Sequence, residues 1–84
     1  MAVVDDTVET RRVIETMLRR DGYTVYTADD GAVGLELVLR ERPDVVISDV
    51  MMPKVSGFEL CRILKADRAM RLTPVVLVTG NTER

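Results

Sequence analysis

The sequence contains no histidine and no tryptophan, and it has one cysteine, Cys61. Without histidine, the chain lacks the commonest general base and the commonest zinc ligand. A single cysteine excludes an intramolecular disulfide and is typical of a reducing compartment. No apolar run approaches the ~18 residues that a membrane span needs, and the first residues, MAVVDD, lack the basic and apolar regions of a signal peptide. We therefore expect a cytoplasmic protein that makes no membrane contact.

The charge balance and composition indicate a small globular domain. Lysine and arginine number 12 and aspartate and glutamate 14, which gives a net charge of −2. This balance provides no electrostatic basis for binding nucleic acid, so we expect no direct nucleic acid contact. Hydrophobic residues make up 46% and charged residues 31% of the chain, which is typical of a folded domain rather than a disordered one.

The apolar pattern predicts strands that alternate with helices. Short apolar runs predict strands at 2–4, 23–28, 44–48 and 75–78. Helical spacing predicts helices at 7–21, 32–41 and 58–66, the last with Phe58, Cys61 and Leu64 facing inward. This alternation favours an α/β fold with a parallel sheet and right-handed crossovers.

Polar side chains follow three of the predicted strands. Asp5 and Asp6 follow the first strand, Asp49 follows the third and Thr79 follows the fourth. If strand one lies between strands two and three, these residues meet at the sheet edge where α/β proteins bind ligands. Clustered carboxylates repel one another unless a cation compensates them. Because the donors are all oxygen and Cys61 lies on a predicted helix, the pattern favours Mg²⁺ over zinc.

A carboxylate beside Mg²⁺ is also a candidate nucleophile. Asp49 in that position can form an aspartyl phosphate, and a nearby hydroxyl such as that of Thr79 can hydrogen-bond to the phosphoryl group. Taken singly, each aspartate is more often a turn former or a helix cap. The combination at one sheet edge favours a functional site over these structural alternatives.

Four motifs together resemble the receiver domain of two-component response regulators, and the resemblance covers the whole chain. The motifs are VVDD at 3–6, DVVISDVMMP at 44–53 with Gly57, GFELCRILKAD at 57–67, and PVVLVTG at 74–80. The resemblance implies a flavodoxin-like parallel sheet with strand order 2-1-3-4, here truncated to (βα)3β. It also implies a phosphoacceptor signalling domain, not an enzyme, whose only catalysis is its own Mg²⁺-dependent phosphorylation.

The resemblance assigns roles to individual residues. Asp49 would accept a phosphoryl group from a partner sensor histidine kinase. Asp6 would bind Mg²⁺ directly and Asp5 partly through water, while the backbone carbonyl of Met51 would complete the protein's share of the metal ligands. Thr79 would be the switch hydroxyl that moves toward the phosphate on activation.

The sequence also departs from the family pattern. Receivers of this family have five strands and five helices, so we expect residues 1–84 to form a single partial receiver domain without the fourth helix, fifth strand and fifth helix. The family's phosphate-binding lysine lies on that fifth strand, and neither Lys54 nor Lys65 stands at its position. We therefore expect impaired phosphorylation. We also expect a homodimer or higher oligomer through the apolar fourth strand or the bare face beside the first helix.

Two alternatives remain open from the residues. An aspartate-phosphatase type of enzyme also uses a nucleophilic aspartate, Mg²⁺ and a threonine, but it generally has a second acid two residues after the nucleophile. Here that position is Met51, which disfavours this alternative. The other is a non-catalytic half-fold whose main property is self-association.

Overall fold

Strands and helices alternate along the chain in a computed structural model that describes residues 1–52 and 54–78. The strands are β1 (Ala2–Val4), β2 (Tyr26–Ala28), β3 (Val46–Asp49) and β4 (Val75–Val78). The helices are α1 (Val8–Arg20), α2 (Gly31–Glu41) and α3 (Gly57–Ala66). Every predicted element is present, in the predicted order. No helix within the described ranges is long and apolar enough to cross a membrane.

The strands form one parallel sheet with the order β2-β1-β3-β4, which confirms the predicted fold class and strand order. Val3 in β1 lies between Thr27 of β2 and Ile47 of β3, and Asp49 at the end of β3 lies opposite Val78 of β4. Because all four strands run in the same direction, their carboxyl ends share one edge of the sheet.

Three strand boundaries differ from the prediction: β2 begins at Tyr26 rather than at residue 23, and β3 spans Val46–Asp49 rather than residues 44–48. The prediction that β2 begins at residue 23 is wrong because the Tyr23 N–H donates to the carbonyl oxygen of Leu18, at 3.1 Å, and so completes the end of α1. β3 extends one residue further than predicted, and Asp49 is its last residue rather than the first residue after it. Asp49 is therefore held in the hydrogen-bonded sheet.

The main core lies between the sheet and helices α2 and α3. It comprises these buried residues: Ala2, Val4, Ala28, Leu37, Val38, Val46, Leu60, Leu64 and Met70. Helix α2 approaches β1 closely at Gly34, where an added Cβ would lie 2.6 Å from a Val4 methyl carbon. A residue without a side chain at position 34 thus sets the distance between this helix and the sheet.

Helix α3 buries Leu64 as predicted and half-buries Cys61, but it leaves Phe58 exposed. Gly57, Leu60 and Leu64 are buried, whereas Phe58 is 64% exposed. Since successive helical residues are rotated by about 100°, a helix that buries Gly57 against the end of β3 directs the next side chain away from the sheet. The prediction that Phe58 faces inward is therefore wrong.

The opposite face of the sheet is covered less completely. Helix α1 lies on this side and has no buried residue. Val13 and Met17, both on its apolar stripe, are 57% and 59% exposed, and Val76 of β4 is 50% exposed. Val3, at the centre of the sheet, is nevertheless buried. On this face, α1 therefore leaves β4 and part of its own apolar side exposed.

Substitution of Gly34 by alanine tests the contact between α2 and β1. An alanine in a helix ordinarily stabilises it by up to about 1 kcal/mol relative to glycine. Here we expect a net loss of about 1–3 kcal/mol because the new methyl group overpacks the core against Val4. Urea unfolding of Gly34→Ala, Val4→Ala and the double variant measures this. The double variant should be less destabilised than the sum of the single variants, and simple additivity would contradict the close packing.

Candidate metal centre at the carboxyl edge of the sheet

Three carboxylates meet where β1 and β3 end. Asp5 and Asp6 directly follow β1, and Asp49 ends the neighbouring strand β3. One carboxylate oxygen of each residue lies within 4.8 Å of the others. Asp5 is buried, Asp49 is partly buried and Asp6 is exposed. The structure thus brings together the three acids that the sequence singled out, while Thr79 lies outside the described residues.

Asp5 is the most firmly held of the three. Its N–H donates to the carbonyl oxygen of Ala28 at 3.1 Å, which extends the pairing of β1 with β2. Its Oδ1 accepts from the N–H of Thr7 at 2.8 Å, and its backbone carbonyl accepts from Nη1 of Arg11, also at 2.8 Å. Both backbone polar groups and one carboxylate oxygen therefore have partners, although the residue is only 5% exposed.

The role of Arg11 was not predicted from the sequence. The helical pattern places both Arg11 and its neighbour Arg12 among the charged residues off the apolar face. In the structure the Arg11 side chain reaches back along α1 to the end of β1. No sequence signal separates the two arginines, because the contact depends on the angle at which the helix leaves the strand.

The surroundings of Asp49 disfavour its charged form. Burial raises the pKa of the Asp49 carboxyl above its usual value, and the negative charge of Asp5, with that of Asp6, raises it further. The N–H of Met51 opposes this by donating to Asp49 Oδ1, but the distance is 3.4 Å, longer than the usual 2.7–3.2 Å. The carboxylates are thus held together against a net repulsion, which a bound cation would relieve.

The start of α3 fixes the chain beyond Asp49. The Gly57 N–H donates to the carbonyl oxygen of Val50 at 2.9 Å, and an added Cβ at Gly57 would lie 2.3 Å from the carbonyl oxygen of Asp49. Ser56 caps the helix, since its Oγ accepts from the N–H of Glu59 at 3.1 Å. Only glycine at position 57 permits this approach, which explains its place in the motif after Asp49.

A second contact ties the same loop to the start of α2. Nζ of Lys54 lies 3.7 Å from Oδ2 of Asp30, while Oδ1 of Asp30 caps α2 by accepting from the Val33 N–H at 2.8 Å. These two interactions lower the pKa of Asp30, with the bond from Val33 as the largest cause. Lys54 has a φ of 70°, a left-handed conformation that is uncommon for a residue with a side chain. The segment after β3 therefore contacts the start of α2 through Lys54 as well as the start of α3 through Val50.

The donor set suits a hard divalent cation. All three side chains offer carboxylate oxygens, and the backbone of Met51 lies next to the Asp49 carboxylate. Mg²⁺ binds through one or two carboxylates and keeps several waters, so an exposed Asp6 beside two more enclosed acids fits its preferences. The residue two positions after Asp49 is Met51, and its side chain offers no acid for phosphatase chemistry.

Known proteins share both the sequence pattern and the fold. The family model described as "Response regulator receiver domain" matches residues 1–84. Over 78 residues, 93% of this chain, the sequence is 46% identical to the response regulator PleD of Caulobacter vibrioides, of which it covers 17%. The chemotaxis response regulator CheY4 of Vibrio cholerae superposes with a TM-score of 0.91 at 35% identity, covering 98% of this chain and 68% of that one.

Another solved structure shows a metal. It is the receiver domain of the sensor histidine kinase PA1611 of Pseudomonas aeruginosa, with a magnesium ion coordinated in its active-site cleft. The TM-score is 0.88 at 31% identity, covering 95% of this chain and 66% of that one. The chain thus spans about a sixth of the length of PleD and about two thirds of the compared receiver structures. The family model and these similarities agree with the fold and the acid cluster, and the chain belongs to the response regulator receiver domain family.

Proposed function

We propose that this domain accepts a phosphoryl group on Asp49 from a sensor histidine kinase, with Mg²⁺ bound beside it, and thereby switches a signalling pathway. The observation that carries the proposal is the convergence of the Asp5, Asp6 and Asp49 carboxylates at one edge of the sheet. Receiver domains are phosphoacceptor signalling modules rather than classical enzymes. In this proposal the chain catalyses only its own phosphorylation.

The proposed metal ligands are three carboxylates and one backbone carbonyl. The clustering of Asp5, Asp6 and Asp49 supports the carboxylates, and the family resemblance is the basis for adding the backbone carbonyl of Met51. When bound, Mg²⁺ supplies positive charge that offsets the carboxylate repulsion and the charge of the incoming phosphoryl group. Oδ1 of Asp5 accepts from the Thr7 N–H, which would leave Oδ2 as the less encumbered oxygen for a cation.

The transfer itself requires one nucleophilic oxygen. One carboxylate oxygen of Asp49 would attack the phosphorus of the kinase phosphohistidine, while the other would face the cation. A P–O bond to Asp49 forms as the P–N bond breaks, and the imidazole leaves with the bonding electron pair. The pairing of β3 with β4 holds the nucleophile at the sheet edge, since Asp49 lies opposite Val78.

We also propose that Thr79 is the switch hydroxyl. Thr79 directly follows Val78, the residue paired with Asp49, and this register supports the proposal. A hydroxyl there would hydrogen-bond to the phosphoryl oxygens once Asp49 is modified.

We expect the phosphorylation of Asp49 to be slow when residues 1–84 supply all of the protein groups. The sequence has two lysines, Lys54 and Lys65. Lys54 pairs with Asp30, and Nζ of Lys65 donates to the carbonyl oxygen of Thr73 at 2.6 Å and to that of Arg71 at 3.2 Å. Neither contact directs an ammonium group to the phosphoryl position, so a large part of the charge stabilisation would rest on the metal.

Self-association is a second proposed property. Among the strands in residues 1–52 and 54–78, β4 is at one edge of the sheet, and its Val76 is half exposed, as are Val13 and Met17 on α1. A second copy of this chain is the proposed occupant of this apolar face, because an isologous contact would cover the same residues on both copies. We further propose a cytoplasmic location, which the single cysteine supports, and no direct nucleic acid contact, which the net charge of −2 supports.

The phosphoacceptor role predicts an adduct on one aspartate. Incubation with acetyl phosphate and Mg²⁺ should give a phosphorylated species by intact-mass spectrometry, at a rate well below that of CheY4. Asp49→Asn should abolish the adduct. Asp44→Asn, which removes an exposed acid just before β3, is the matched control and should leave the adduct unchanged. An adduct that survives in Asp49→Asn would contradict the assignment.

The raised pKa of Asp49 predicts a pH-dependent stability without metal. The folded state favours the protonated carboxyl, so the stability that Asp49 contributes is fully present below its unfolded pKa and is lost as the pH rises through the raised folded pKa. Without Mg²⁺, Asp49→Asn should therefore be more stable than the wild type at pH 7. The difference should shrink as the pH falls through the raised folded pKa and be lost below about 3.9, the reference pKa. Thermal unfolding across pH measures this, and a destabilised Asn variant at pH 7 would contradict it.

Self-association predicts a concentration-dependent mass. Sedimentation of the chain at micromolar concentration should show a dimer or a higher oligomer. Val76→Lys should shift the species toward monomer because it places a charge on the proposed interface. Val33→Lys, an exposed valine on α2, is the control and should not. A folded wild-type monomer would contradict the proposal.

A further inference from the structure

We propose that Arg11 is a positioning residue for the metal centre: it holds the end of β1 so that Asp5 and Asp6 present their carboxylates to the ion. This inference rests on the proposed Mg²⁺-assisted function and deepens it. It gives a structural role to Arg11, which lies outside the cluster of three aspartates.

Three hydrogen bonds form a closed ring around the first turn of α1. The Thr7 N–H donates to Asp5 Oδ1 at 2.8 Å, and the Arg11 N–H donates to the carbonyl oxygen of Thr7 at 3.0 Å. Nη1 of Arg11 then returns to the carbonyl oxygen of Asp5 at 2.8 Å. Because the ring passes through the Asp5 carboxylate and the peptide that joins Asp5 to Asp6, it fixes that carboxylate and the backbone entering Asp6 relative to the helix.

The backbone N–H of Asp5 is held by the sheet. It bonds to Ala28 on β2, so Asp5 is bound to the strand on one side and to the helix on the other. Thr7 precedes α1 as its N-cap but makes no side-chain capping bond. The Asp5 carboxylate instead accepts from the Thr7 N–H at the helix start. Because Arg11 bonds to the Asp5 carbonyl from the same helix, removal of the guanidinium would loosen the attachment of Asp5 to α1.

The positive charge of Arg11 and its hydrogen bond to Asp5 have opposite effects on Mg²⁺ affinity. A guanidinium near three carboxylates repels an incoming cation, so its removal alone would strengthen Mg²⁺ binding. A guanidinium that orients the ligands has the opposite effect, because loss of groups that orient metal ligands typically weakens affinity about 10–100-fold. The sign of the change on substitution therefore distinguishes positioning from simple electrostatics.

The test compares Arg11→Met and Arg11→Lys with Arg12→Met, which removes the same charge from the adjacent exposed position. Mg²⁺ affinity is measured by calorimetry, and exchange of the Thr7 amide is measured by NMR without metal. We expect about tenfold weaker binding in Arg11→Met with faster Thr7 exchange. Arg12→Met should bind as the wild type does or slightly more tightly, and Arg11→Lys should recover part of the affinity because its ammonium can still donate to the Asp5 carbonyl.

The outcomes separate this inference from the proposed function. Equal or tighter binding in Arg11→Met, in a wild type that binds Mg²⁺, would overturn the positioning role alone. Failure of the wild type to bind Mg²⁺ would overturn the proposed function and this inference with it. Thermal unfolding of each variant shows whether the chain is folded, and the lysine variant supplies the comparison if the methionine variant is not.

Discussion

The repulsion among three carboxylates is the constraint on which the rest of this structure depends. Asp5, Asp6 and Asp49 lie within 4.8 Å of one another, and the first and last of them are partly or fully removed from solvent. Such an arrangement opposes folding at neutral pH, and the raised pKa of Asp49 expresses that cost. A fold that maintains it needs a rigid frame around the acids and a cation to offset their charge.

The parallel sheet supplies most of that frame. Adjacent strands β1 and β3 end at the same edge, so the acids converge without any long-range loop. Gly57 lets α3 approach the carbonyl of Asp49 closely, and the bonds to Asp5 from Thr7 and Arg11 tie β1 to α1. The groups that would do the chemistry are thus held by backbone pairing and short local contacts rather than by packing of large side chains.

The sequence predicted the fold and the convergence of the acids for identifiable reasons. Each apolar run or helical pattern in the sequence corresponds to one strand or helix, so the order of elements follows from periodicity. The parallel sheet then brings Asp5, Asp6 and Asp49 to one edge. The errors arose where a local contact overrides the pattern. Tyrosine is common in strands, but the N–H of Tyr23 bonds to the Leu18 carbonyl and completes the end of α1. Phe58 is apolar, but Gly57 fixes the rotation of α3 and turns Phe58 outward.

We propose that these carboxylates bind Mg²⁺, which would offset their mutual repulsion and allow Asp49 to react. The most direct measurement is the thermal unfolding midpoint of the wild type and of Asp6→Asn with and without millimolar Mg²⁺, at a protein concentration held constant. A ligand that binds only the folded state stabilises it in proportion to RT ln(1 + [L]/Kd). We expect Mg²⁺ to raise the wild-type midpoint and to leave that of Asp6→Asn nearly unchanged. An equal response of both proteins, or no response of the wild type, would contradict the proposal.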